Sequence, residues 1–162
     1  MKKRLLFAFL LLSLNAFSQK VLPSLDLKTL EGKTVNSQTL SQKGRLTVLS
    51  FWATWCAPCK KEMDAIAPKY SDWQKKYNMD LVAITIDNAQ GLPKVKPMVA
   101  QKGWKYTILS DINSQFLQNL GGQSVPYTLL IDKKGNIVYT HNGFIPGDDI
   151  ELEKKMEEYS KL

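Results

Sequence analysis

Cysteine is scarce in this chain: its 162 residues hold two, Cys56 and Cys59. That excludes a small disulfide-stapled scaffold, which needs several bridges. Histidine is scarcer still, with His141 alone, so a structural zinc site of four Cys and His ligands cannot be assembled, and no metal or other cofactor is expected. No cysteine follows the leading apolar segment closely, which excludes a lipid-modified N-terminal anchor. That segment, Leu5 to Leu14, is short of the roughly 20 apolar residues a membrane span requires. Repeats, low-complexity tracts and Gly/Pro-rich linkers are absent, which leaves one domain after the leader. Basic residues outnumber acidic ones for a net charge of +7, but they do not cluster with aromatics as a nucleic-acid surface would.

Hydrophobic residues make up 44% and charged residues 23%, the balance of a globular chain. The first residues form a separate object. Met1-Lys2-Lys3-Arg4 is a basic head, Leu5 to Leu14 an apolar core, and Asn15-Ala16-Phe17-Ser18 offers small residues for cleavage before Gln19. This is the pattern of a secretory signal peptide over residues 1–18. The expected product is a domain over 19–162, periplasmic or otherwise extracytoplasmic, monomeric and not inserted in the membrane. Three of the seven excess charges leave with the leader.

Along the mature chain, Leu25, Leu27 and Leu30 with Glu31-Gly32-Lys33 read as a strand and turn, and Val35 resumes the pattern. Lys43-Gly44-Arg45 is a turn, and Leu46 to Trp52 is a near-continuous apolar run, as in a buried central strand. From Pro58 the period becomes helical, with Met63, Ile66, Ala67, Tyr70, Trp73 and Tyr77 on one face and a kink at Pro68. Met79 to Ile86 is a second strand. Pro93 opens a helix carrying Val95, Met98 and Val99. Trp104 to Leu109 is a third strand, and Asp111 or Asn113 caps a short helix ending at Gly121-Gly122. Tyr127 to Ile131 and Ile137 to Thr140 form a closing hairpin, followed by a helix capped by Asp148 or Asp149 and carrying Ile150, Met156 and Tyr159. The alternation implies an α/β fold with a mostly parallel central sheet.

Trp55-Cys56-Ala57-Pro58-Cys59-Lys60 lies where the central strand gives way to a helix. A structural disulfide is one reading, since disulfides persist outside the cytoplasm. It would close a tiny loop, however, and stabilisation grows with loop length. Two ligands also fall short of a zinc site. Reversible thiol–disulfide exchange is the reading these residues favour.

The strand Leu46–Trp52, the Trp55–Lys60 motif and Val125-Pro126 ahead of a strand together resemble the thioredoxin superfamily over nearly all of the mature chain. The leader, Lys60-Lys61-Glu62, and the extra strand–helix stretch from about Met79 to Lys102 resemble the exported TlpA/ResA-like thiol–disulfide oxidoreductases more closely. The resemblance implies a thioredoxin-like fold: a central mixed β-sheet flanked by helices, an N-terminal β-hairpin and a strand–helix insertion. It implies that Cys56 is the nucleophile and Cys59 the resolving thiol of a redox-active disulfide, and that no cofactor is needed. A cysteine at a helix start is favoured as the thiolate. Ala57 and Pro58 tune the couple: Pro58 supplies no N–H, and a Pro at this position is typical of reductases. Val125–Pro126 is implied to be a cis bond against the cysteines, bounding with Trp55 a groove for an extended substrate segment.

Thioredoxins carry a buried Asp where this chain has Ser50, which leaves the usual proton acceptor missing. Glu62 is either that acceptor or a solvated surface acid. His141 has a surface or packing role by default. The implied partners are protein disulfides, such as those of apocytochrome c, and a membrane thiol-transfer electron donor. The alternatives are an oxidase or isomerase on the same fold, or a redox-inactive binding module.

Overall fold

The computed structural model describes residues 21–41 and 44–162, so the expected leader and Lys43 of the expected turn lie outside the described residues. Seven strands form one sheet: β1 (Asp26–Thr29), β2 (Thr34–Asn36), β3 (Leu46–Trp52), β4 (Met79–Thr85), β5 (Thr107–Ser110), β6 (Tyr127–Ile131) and β7 (Ile137–Asn142). The helices are α1 (Ala57–Ile66), α2 (Tyr70–Tyr77), α3 (Val95–Lys102), α4 (Gln115–Asn119) and α5 (Asp148–Ser160). The strand order across the sheet is β2-β1-β5-β4-β3-β6-β7.

Only β5, β4 and β3 run parallel; β1, β2, β6 and β7 pair antiparallel, so the sheet is mixed rather than mostly parallel. The reason lies in the chain's two hairpins, which build one edge each. The stretch Met79–Lys102 supplies β4, which sits beside the central β3, and then α3.

β3 is buried along its whole length. Its side chains alternate between two apolar layers. Leu46, Val48 and Trp52 join Cys59, Met63, Ile66, Leu81, Leu130 and Met156 on the face covered by α1 and α5. Leu49 and Phe51 join Phe116, Leu117, Leu129 and Ile131 on the other. Each such side chain taken from water contributes about 1.5–3 kcal/mol. Trp52 meets the edge of Trp104 at 5.3 Å beneath the start of α1.

Several boundaries differ from expectation for identifiable reasons. Pro68 cannot donate a helical hydrogen bond, and the long helix is broken into α1 and α2 rather than kinked. Pro93 sits in a 3-10 turn, Leu92–Lys94, that leads into α3. β5 begins at Thr107, although Trp104 and Tyr106 are buried all the same. Asp111 does serve α4: its carboxylate accepts the N–H groups of Gln115, Phe116 and Leu117 at 2.9–3.0 Å. Gly147 occupies the cap position of α5, because Asp148 accepts from Ile145 N–H and Asp149 pairs with Lys69. Ile150 is 54% exposed; Leu152 and Met156 are the residues α5 buries.

Candidate active site

Cys56 occupies the cap position of α1 in extended geometry, and its sulfur takes the role a Ser or Asp oxygen usually plays, accepting the Cys59 N–H at 3.3 Å. Pro58 lies in the first helical turn, where its missing N–H costs nothing to the helix. The two cysteines form a disulfide with Cα atoms 5.4 Å apart. Cys59 is fully buried, whereas Cys56 keeps 4% exposure. Cys56 is thus the half of the disulfide nearer solvent.

The Val125–Pro126 peptide is cis, and the Val125 carbonyl oxygen lies 3.7 Å from the Cys56 sulfur. The Gly143 N–H donates to the Pro126 carbonyl at 2.8 Å. Gly143 has φ +84°, a left-handed conformation that favours glycine. Trp55, 68% exposed, stands next to Cys56 in the chain, and Ile145 is equally exposed.

The loop ahead of Cys56 is pinned from β4. Asp87, buried at the end of that strand, accepts the Thr54 N–H at 2.8 Å, the Thr54 hydroxyl at 2.7 Å and the Thr85 hydroxyl at 2.6 Å. A Cβ on Gly91 would come within 2.6 Å of the Asp87 carboxylate, so glycine lets the next loop close over it. Lys60 reaches back to the Thr54 carbonyl at 3.0 Å, while Lys61 is exposed. A cleft of about 340 Å³ between Trp55, Asn88, Lys94 and Met98 opens beside this loop.

Glu62 lies one turn beyond Cys59 and is buried, not a solvated acid. Ser50 of β3 and Thr128 of β6 are directly opposed in the sheet and interrupt an otherwise apolar layer. Buried hydroxyls need partners. Ser50 donates to one Glu62 oxygen at 3.2 Å and Thr128 to the other at 2.6 Å. The helix thus delivers a carboxyl group to Ser50 beneath the sheet's centre. Burial pushes the Glu62 carboxyl up to about 7, against the lowering effect of the Thr128 and Ser50 hydrogen bonds. Near neutral pH it can take up or release a proton.

Sequence reasoning brought Trp55, Cys56, Ala57, Pro58, Cys59, Glu62, Val125 and Pro126 into consideration, and the structure gathers them around the start of α1. It passed over Asp87 and Thr128. The signal for Thr128 was available: a lone hydroxyl residue between apolar neighbours in the strand Tyr127–Ile131, set opposite Ser50 in the sheet.

A redoxin family model matches residues 17–157. The chain belongs to the redoxin family. It is 33% identical over 119 residues to the thiol-disulfide oxidoreductase ResA of Bacillus anthracis, covering 74% of this chain and 66% of that relative, just under two thirds of its length. Against ResA of Bacillus cereus the identity is 30% over 142 residues, covering 88% of this chain and 76% of the relative. The solution structure of an uncharacterized thioredoxin-like protein from Porphyromonas gingivalis superposes with a TM-score of 0.77 at 40% identity, covering 86% of this chain and 92% of that one. The thioredoxin-like fold is shared, and Cys56 and Cys59 form a disulfide at the start of α1.

Proposed function

We propose that this chain is an extracytoplasmic thiol–disulfide oxidoreductase whose Cys56–Cys59 dithiol reduces disulfides in other proteins. One observation carries the reading: a disulfide at a helix start, its Cys59 end fully buried and its Cys56 sulfur 3.7 Å from the Val125 carbonyl beside the cis Pro126.

The reduced Cys56 thiolate attacks one sulfur of a substrate disulfide. A Cys56–substrate bond forms, the substrate bond breaks, and one substrate thiolate leaves and is protonated from solvent. Cys59 then gives its proton to Glu62, and its thiolate attacks the Cys56 sulfur. The Cys56–Cys59 bond forms, and the second substrate thiolate leaves and gains a proton. Two electrons have passed to the substrate, and an electron donor restores the dithiol. Trp55, Val125 and Pro126 bound the groove in which an extended segment docks by strand-like pairing. Cys56 receives one close backbone donor, the Cys59 N–H, and Pro58 withholds another. Weak stabilisation of the thiolate favours giving electrons away.

The basic and apolar leader over residues 1–18 supports export, with a domain over 19–162 acting in the periplasm or an equivalent compartment. Among the described residues no helix is long and apolar enough to cross a membrane. The substrate class is protein disulfides of that compartment, apocytochrome c among them, and the donor a membrane thiol-transfer protein. Cys59→Ser is expected to hold substrates as mixed disulfides on Cys56, released by dithiothreitol, and to lose all turnover of insulin disulfides. Wild-type protein that fails to reduce insulin, together with a variant that captures nothing from an envelope extract, would overturn the proposal. N-terminal sequencing of the exported protein should begin at Gln19.

A further inference from the structure

Glu62 needs a route to water if it is to shed the proton it receives, and the cysteine side is closed by the fully buried Cys59. The sheet offers a route on the other side. Ser50, Thr128 and His141 are directly opposed on β3, β6 and β7, so the three side chains share one face and form a polar row leading to the sheet edge. Glu62 lies on this row from α1, and Asp148 closes its outer end from α5. A narrow crevice of about 10 Å³, the scale of a single water molecule, is lined by Glu62, Thr128, His141 and Asp148.

The outer end is built with some care. His141 Nε2 lies 2.9 Å from Asp148 Oδ2, an oxygen that also accepts the Ile145 N–H at 2.7 Å. The Tyr139 ring stacks on His141 with an interplanar angle of 3°. The His141 side chain keeps 32% exposure, so the row ends at solvent.

We propose that His141, held by Asp148, is a positioning residue for the exchange reaction: it governs the charge on Glu62 from across the sheet and ends the path by which Glu62 exchanges protons with water. The inference rests on the reading of Glu62 as proton acceptor. A cation at position 141 favours the Glu62 carboxylate, and Asp148 opposes it. The other titratable or charged groups near Glu62 are Tyr139 on β7, Asp149 on α5 with its partner Lys69, Tyr106 before β5, and the two cysteines.

Two substitutions of opposite sign test this in the whole protein. The Glu62 carboxyl is followed by carbon-13 NMR in the reduced state, alongside the pH profile of mixed-disulfide resolution. His141→Gln should raise the Glu62 midpoint by about half a pH unit or more, and His141→Lys should lower it; both stay below the 1–3 units of a direct ion pair. The resolution profile should move with the same signs. A midpoint that stays put in both variants, or moves the same way in both, overturns the proposal. The carboxyl titration is read without any substrate. A wild-type protein inactive on insulin would therefore defeat the functional reading and leave the test of His141 standing.

Discussion

Two buried carboxyl groups flank the dithiol, and they differ in what surrounds them. Asp87, on the side before Cys56, is held by a backbone N–H and two hydroxyls and pins the loop that carries Trp55. Glu62, on the side after Cys59, sits in an apolar layer with two hydroxyls alone. Desolvation dominates there and brings its titration near neutrality. Asp87 ties the loop before Cys56 in place, and in the proposed reading Glu62 exchanges protons beside Cys59; the two are set apart by the donors around each.

Substitution should separate these roles. Glu62→Gln carries the largest expected effect, a loss on the order of 100-fold in resolution of the mixed disulfide at neutral pH, read by quenched-flow of the trapped intermediate. A second signature accompanies it. In the wild type Glu62 holds its proton in the folded state up to about 7 but releases it near 4.5 when unfolded, so stability falls as pH rises between those values and is level above them. The fall is on the order of 3 kcal/mol. Urea denaturation of Glu62→Gln should lack it; the same slope in the variant would assign the pH dependence to another group.

Asp87→Ala should come next, with a stability loss of about 3 kcal/mol, since it leaves the Thr54 N–H and the Thr54 and Thr85 hydroxyls without their partner. Its exchange rate should retain the wild-type pH profile. A shifted profile would mean that Asp87 shares the proton chemistry and would dissolve the distinction. The smallest effect belongs to Thr128→Val. It removes one hydrogen bond to the Glu62 carboxylate, costs about 1 kcal/mol, and moves the carboxyl midpoint further up.

Much of the fold is legible in the residues because its signals are local. Leu46–Trp52 declares a buried strand by its apolar run, and Asp132–Asn136 declares a hairpin by its turn residues. The cysteine pair and its neighbours are legible by spacing. What escapes is whatever depends on pairing across the sheet. Glu62 reads as either a proton acceptor or a surface acid, because helical periodicity says only which residues face inward, not that Ser50 and Thr128 wait there with hydroxyls. His141 reads as an isolated histidine until β7 sets it opposite Thr128 and α5 brings up Asp148. Ile150 fails for the complementary reason: an apolar residue at the right period is left outside because α5 meets the sheet through Leu152 and Met156.

The reduction potential of the Cys56–Cys59 couple at pH 7, measured by equilibration with glutathione or thioredoxin, tests the central claim most directly. A reductant of protein disulfides should lie near the thioredoxin value of about −270 mV; a value near −120 mV, that of a strong oxidant, would contradict it.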